Sequence, residues 1–328
     1  MDDALQRETE RLRWAWDKFP SQRLDTYLVS DVEDPRINAQ SILTRALIAD
    51  TLFPGQFTGL IEAEWRFGLC HTWLTQCLRQ GHTRREILQR IEGKDDAACP
   101  EFLIHTYEFL QSATCPFPDY ITEALLAPDS DDGRLIPDNV LDTFASFWNR
   151  TLALYSDATI SVVEPACGSA NDYRYLVGHG LARFLKYRGF DLSRKNIANA
   201  QRRFPDTVFF VGNAIQIPMD DGACDYLFVH DLFEHLSPDA FEIALAEVLR
   251  VTRKEAWLSF FNMDAIPDHQ FLPVEDYHWN TLSQTRTVET ILRHAGDVEV
   301  VNIAELLRKK FEYATYYNPH AKTLMVTI

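Results

Sequence analysis

The sequence predicts an α/β protein in which an all-helical N-terminal region precedes a mostly parallel sheet with helices on both faces. Three observations carry this expectation. Residues 1 to about 125 show helical periodicity almost throughout and no convincing alternating strand. Beyond residue 139, strand-length apolar runs alternate with helical segments. Between the two, APDSDDGRLIPDN at residues 127–139 concentrates Pro, Gly and Asp, as a boundary does. We expect an N-terminal helical domain over residues 1–130 and a second domain over residues 137–328.

The elements follow in order. In IEAEWRFGLCHTWLTQCLRQG the apolar set Trp65, Leu69, Trp73 and Cys77 recurs every four residues, and Gly81 stands where a helix stops. Thr83 and Glu86 then have capping-box spacing ahead of Ile87, Leu88 and Ile91, with Gly93 as the next stop. Past the boundary, Leu141, Phe144, Trp148, Leu152 and Tyr155 mark another helix. The strand runs are TISVVEP, KYRGFD, TVFFVGNA, CDYLFVH, EAWLSFFN, VEVVNI and KTLMVTI. In such sheets ligands lie outside the carboxyl ends of the strands, so the site belongs at the ends of these runs.

Composition narrows the function. With 328 residues and 46% hydrophobic content the chain is large enough for real cores. The N-terminus MDDALQRETERLRW is charged and helical in pattern, and no apolar stretch is long enough to span a bilayer. The cysteines, Cys70, Cys77, Cys99, Cys115, Cys167 and Cys224, form no CxxC and read as reduced thiols, so a cytoplasmic setting is expected. A formal net charge of −16 repels phosphate backbones and makes nucleic acid a poor substrate.

The turn VVEPACGSANDYRYL, residues 162–176, is the most informative stretch. A dinucleotide site would need GxGxxG, and the corresponding positions here are Ala166, Gly168 and Asn171. Glu164 ahead of the turn would repel a pyrophosphate and attract a cationic or zwitterionic ligand. The segment Glu164-Pro-Ala-Cys-Gly168-Ser-Ala170 resembles the first motif of class I S-adenosylmethionine-dependent methyltransferases. It departs from that motif at Ala166 and Ala170, where glycines are usual, which implies a less intimate backbone approach and leaves Gly168 as the indispensable glycine.

Further landmarks of the family arrive in order. YRGFDLSRKNIANAQRRF resembles its second strand and helix, which implies that Asp191, with Leu192 beside it, receives the ribose hydroxyls and that Ser193 caps the helix. VGNAIQIPMDDGACDYLFVHDLFEHL resembles the next two strands, which puts Asn213 where an adenine-contacting Asp is common, followed by Ala214 and Ile215. The resemblance spans about residues 137–328. It implies a Rossmann-like seven-stranded sheet whose last strand is antiparallel, S-adenosylmethionine as cofactor, and methyl transfer as activity.

Methyl transfer to a hydroxyl or ammonium needs a group that removes a proton. His230 and Asp231 leave the fourth strand where an acceptor should lie, and His230 is also expected beside the cofactor. If the following turn is helical, His230/Glu234 and Asp231/His235 each share a face. The competing view takes Glu234-His235-Leu236 as a plain helix start, and no metal cage follows from the spacing. The long connection FNMDAIPDHQFLPVEDYHWNTLS offers a second candidate base, His278, between Tyr277 and Trp279, which with His235 are expected to touch substrate. A small-molecule acceptor is expected, oxygen ahead of nitrogen, with the N-terminal helices as a cap or a homodimer contact. The rivals are a protein side-chain methyltransferase and a non-catalytic scaffold.

Overall fold

The computed structural model describes residues 3–18, 31–92, 100–112, 126–127, 134–156 and 159–328. Cys99, Cys115, Gly93 and residues 128–133 of the boundary segment lie outside the described residues. The helices of the N-terminal region are α1 (Asp3–Lys18), α2 (Ala39–Leu52), α3 (Thr58–Arg79), α4 (Arg84–Glu92) and α5 (Glu101–Ser112). The capping box ahead of α4 forms as its spacing predicts. Thr83 Oγ1 accepts from the Glu86 amide at 3.2 Å, and Glu86 Oε2 accepts from the Thr83 amide at 2.7 Å.

Helix α6 (Asp138–Leu152) leads into the sheet. Its strands are β1 (Ile160–Pro165), β2 (Leu185–Asp191), β3 (Val208–Val211), β4 (Cys224–His230), β5 (Thr252–Phe260), β6 (Asp297–Asn302) and β7 (Lys322–Thr327). Their order across the sheet is β6-β7-β5-β4-β1-β2-β3. Strands β1 to β5 pair in parallel, and β7 runs antiparallel between β5 and β6. Because β1 pairs with both β2 and β4, the chain reverses its winding there, and this switch point opens a crevice at the strand ends. The connecting helices are α7 (Asn171–Gly178), α8 (Arg194–Arg203), α9 (Pro238–Val251), α10 (Gln284–Ile291) and α11 (Ile303–Phe311).

Strand periodicity sorts the core into two layers. Val162, Tyr226 and Phe228 join one buried cluster with Trp148 of α6 and Leu307 of α11, while Val163, Leu227 and Val229 join another with Phe241 of α9 and Ile291 of α10. The N-terminal helices share both layers. Phe67 and Trp73 of α3 belong to the first cluster and Leu5 and Leu12 of α1 to the second. Each such side chain withdrawn from water contributes about 1.5–3 kcal/mol. The amide of Gln40 in α2 donates to the Phe260 and Lys322 carbonyls at 3.1 and 2.9 Å, which holds α2 on the ends of β5 and β7.

Candidate functional site

The crevice at the switch point is a cavity of about 530 Å³, inside the range for small-molecule sites. One wall is the turn after β1. Ala166, Gly168 and Ala170 all have positive φ, at 55°, 55° and 65°. The two alanines therefore keep the left-handed backbone that glycine adopts freely, at a cost of roughly 1–2 kcal/mol each. A Cβ on Gly168 would meet nothing within 4 Å, so what that position demands is its backbone angle.

Asp191 ends β2 and organises this wall. Its Oδ2 accepts from the Gly168 amide at 3.0 Å, and its Oδ1 accepts from the Ser193 amide at 2.8 Å and from Asn196 Nδ2 at 3.2 Å. Burial raises its pKa against these donors. Ser193 caps α8, its Oγ accepting from the Asn196 amide at 3.2 Å. Asn213 Oδ1 accepts from the Ile215 amide at 3.1 Å, which steadies the loop at Ala214. Leu192, Asn213, Ala214 and Ile215 all line the cavity.

Glu164 also lines the cavity, and it differs from the open carboxylate that its place in the sequence predicts. The Tyr187 hydroxyl donates to its Oε2. Burial, reinforced by Asp172 and Asp191, pushes its pKa well above the usual carboxylate range. A cation placed beside it would favour the carboxylate form.

The turn after β4 takes a form that period-four spacing does not foresee. Asp231 has φ of 51° and residues Phe233–His235 make a single 3-10 turn, so the two four-residue pairs do not share a helical face. His230 is held at both ring nitrogens, with Asp172 Oδ2 3.3 Å from Nδ1 and Thr44 Oγ1 3.0 Å from Nε2. Burial lowers the His230 pKa, yet the Asp172 carboxylate more than offsets this and the net shift is upward. Both ring nitrogens are thus engaged within the wall. Glu234 is wholly buried, its Oε1 accepting from the Phe261 and Asn262 amides at 2.6 and 3.2 Å.

Asp231 stands apart. It lines the cavity, is exposed to solvent, and carries no hydrogen bond among the described residues. Desolvation raises its pKa to about 6, with Asp172 and Glu33 adding to the rise and His230 opposing it. A base near neutrality is what proton removal from an acceptor requires.

The long connection after β5 contributes aromatic surface. His235, Trp279 and Phe261 line the cavity, with ring centroids 5.6 Å apart for His235 and Trp279 and 5.0 Å apart for Phe261 and Trp279. Tyr277 and His278 are not among the described lining residues. Tyr277 packs edge-on against His235 at 5.7 Å, and His278 supplies the backbone carbonyl that takes the His235 Nδ1 proton at 3.1 Å. The expected base role of His278 thus has no geometric support, because its imidazole is buried off the wall.

Sequence reasoning missed the contribution of α1 and α2. Glu8, Thr9, Leu12 and Trp16 line the cavity from α1, and Gln40 and Ser41 from α2. Helix α1 is tied to the cofactor-side loops. Thr9 Oγ1 accepts from Asn213 Nδ2 at 3.0 Å, Arg13 Nε donates to the Leu192 carbonyl at 3.2 Å, and Asp17 Oδ1 accepts from Ser193 Oγ at 2.6 Å. Glu8 accepts from the Ser237 amide and hydroxyl at 3.0 and 2.5 Å. No local motif marks these residues.

Residues that fit S-adenosylmethionine are therefore present: a left-handed turn open to the cavity, Asp191 at the end of β2, Asn213 for a ring, and carboxyl groups suited to a cationic centre. When bound, that cofactor supplies a methyl group activated by a sulfonium. No described helix is long and apolar enough to cross a membrane.

A match to a family model agrees with this geometry. Residues 163–260 match the family described as a methyltransferase domain. No curated protein is significantly similar in sequence to the chain. Among solved structures, an S-adenosylmethionine-dependent methyltransferase from Methanosarcina mazei is 12% identical, with 54% of this chain and 96% of that chain covered and a TM-score of 0.41. An S-adenosylmethionine-dependent methyltransferase from Mesorhizobium loti is 14% identical, with 56% of this chain and 98% of that one covered and a TM-score of 0.40. The 1,6-didemethyltoxoflavin-N1-methyltransferase of Burkholderia thailandensis, solved with its substrate and S-adenosylhomocysteine, is 14% identical, covers 57% and 78%, and scores 0.39. Residues 163–260, which span β1 to β5 of the sheet, thus match a methyltransferase domain.

Proposed function

We propose that the protein methylates a small molecule, with Asp231 as the group that takes the acceptor's proton. The observation that carries this is the cavity itself. Its walls include α1 and α2 as well as the strand ends, so the acceptor site is roofed by the N-terminal helices. A roof of this kind excludes water and suits a molecule that fits beneath it better than a protein side chain on a folded partner.

Each residue then has a role. Asp191, Asn213 and the turn at Gly168 hold the nucleoside and amino-acid parts of the cofactor. The His230–Asp172 pair forms the wall between cofactor and acceptor without exchanging protons with either. Asp231, on the cavity wall with a left-handed backbone, accepts the proton that the acceptor must lose. A carboxylate of this strength serves an ammonium or an acidic hydroxyl, so the need for a base does not by itself favour oxygen.

Calorimetric titration with S-adenosylhomocysteine, with NADH in parallel, tests the cofactor half of this proposal. Micromolar binding of the former alone is expected. A folded protein that binds NADH instead would overturn it.

A further inference from the structure

A second cluster of ligand-type side chains lies away from the cavity. Glu101 and His105 stand four residues apart on α5, so both leave the same face of that helix. Glu312, which caps α11 with a left-handed backbone at φ of 60°, meets them from the far end of the chain. One nitrogen of His105 and one carboxylate oxygen from each Glu fall within 4.8 Å of one another. His105 Nδ1 and Glu312 Oε2 are in direct contact.

The backbone behind these three groups is fixed. Phe102 and Tyr313, each next in sequence to one of the glutamates, are buried and pack edge to face with ring centroids 4.8 Å apart. The Tyr313 hydroxyl donates to Gln76 Oε1 of α3 at 3.2 Å, and its amide donates to the Leu307 carbonyl at 3.2 Å. Packing therefore sets the cluster's geometry before any ligand arrives. Of the cations in the last turn of α11, Arg308 and Lys309 reach Glu305 at 3.9 and 2.7 Å, and Lys310 lies over the Phe311 ring.

Two carboxylates beside one imidazole suit zinc and the first-row divalent ions related to it, whereas Ca²⁺ and Mg²⁺ take oxygen ligands. The side chains of His105 and Glu312 are 39% and 50% exposed, so water can complete the coordination. We infer that Glu101, His105 and Glu312 form a zinc-type site that pins α5 to the end of α11. Its role is structural, because none of the three is among the described residues that line the cavity. An ion there joins segments 207 residues apart and adds its binding energy to the folded state.

The test uses the full chain, free of any affinity tag and stripped with a chelator, with Zn²⁺ as the calorimetric probe. One ion per chain is expected, with a dissociation constant on the order of micromolar. His105→Ala and Glu312→Gln should each weaken it at least about ten-fold, the loss that follows even when a group merely supporting a ligand is removed. Zn²⁺ at about a hundred-fold over its dissociation constant should raise Tm by roughly 3–5 °C in the native chain and leave the variants unchanged. Co²⁺ bound in its place should show visible d–d bands that His105→Ala abolishes, and the native chain alone suffices to look for them. Absence of Zn²⁺ binding, displacement of Zn²⁺ by equimolar Mg²⁺, or binding that survives both substitutions would rule the site out.

Discussion

Replacing Asp231 by Asn separates function from stability at a single residue. The carboxyl is left with no hydrogen bond among the described residues, and burial raises its pKa from 3.8 to about 6. Because the folded-state value lies above the unfolded one, the charged carboxyl opposes folding above about pH 6, and that cost vanishes below about pH 4. The gap between the two values sets a ceiling of about 3 kcal/mol. Its exposure to a water-accessible cavity screens this to about 1 kcal/mol. Asn adopts the left-handed backbone at this position as readily as Asp does. The Asn variant should therefore be about 1 kcal/mol more stable than the native protein near pH 7.5 and indistinguishable from it near pH 4, by urea unfolding at each pH. Turnover should fall about 10²–10⁴-fold, as for loss of a general base. In the native protein, turnover should drop about ten-fold for each pH unit below about 6 as the base is protonated. Turnover within a few-fold of native, or a stability difference independent of pH, would refute the role assigned to this carboxyl.

Four further outcomes are expected. Ala166→Gly should stabilise the protein by about 1 kcal/mol in thermal unfolding by relieving left-handed strain, whereas Ala170→Gly should gain nothing, because its fully buried methyl is lost at about 0.8 kcal/mol. Asp191→Ala should weaken S-adenosylhomocysteine at least about ten-fold in calorimetry, since it removes the acceptor for the Gly168 amide and the cofactor contact proposed for this carboxyl. The raised pKa of Glu164 implies that S-adenosylmethionine binding releases more protons near neutral pH than S-adenosylhomocysteine binding does, read from calorimetry in buffers of different ionisation enthalpy. Combined Glu8→Ala and Asp17→Ala loosen α1 from Ser237 and Ser193, and S-adenosylhomocysteine should dissociate about ten-fold faster in stopped flow.

Much of the fold was legible because its signals are local. The alternation of apolar strand runs with helical stretches, the Thr83–Glu86 box and the Ser193 cap each act within a few residues, and each forms as read. The cofactor side was legible for the same reason: a strand that ends in an acid, a turn and a helix puts Gly168 and Asp191 on the crevice wherever the rest of the chain goes. The acceptor side was less so. His230 and Asp231 look alike as neighbours at a strand exit, yet one is consumed by Asp172 and Thr44 and the other is free to react. His278 looks like a base between two aromatics, yet it is buried and not among the described residues that line the cavity.

The sequence by itself thus determined the strand and helix pattern, the cofactor turn and the class of reaction, since all of these depend on spacing along the chain. Tertiary structure decided which acid is left unpaired, that α1 and α2 roof the cavity, and that no Lys or Arg among the described residues offsets the carboxyls lining it. Those outcomes come from contacts between residues as far apart as Glu8 and Ser237, or Thr44 and His230, and a pairing over such distances leaves no trace in local composition.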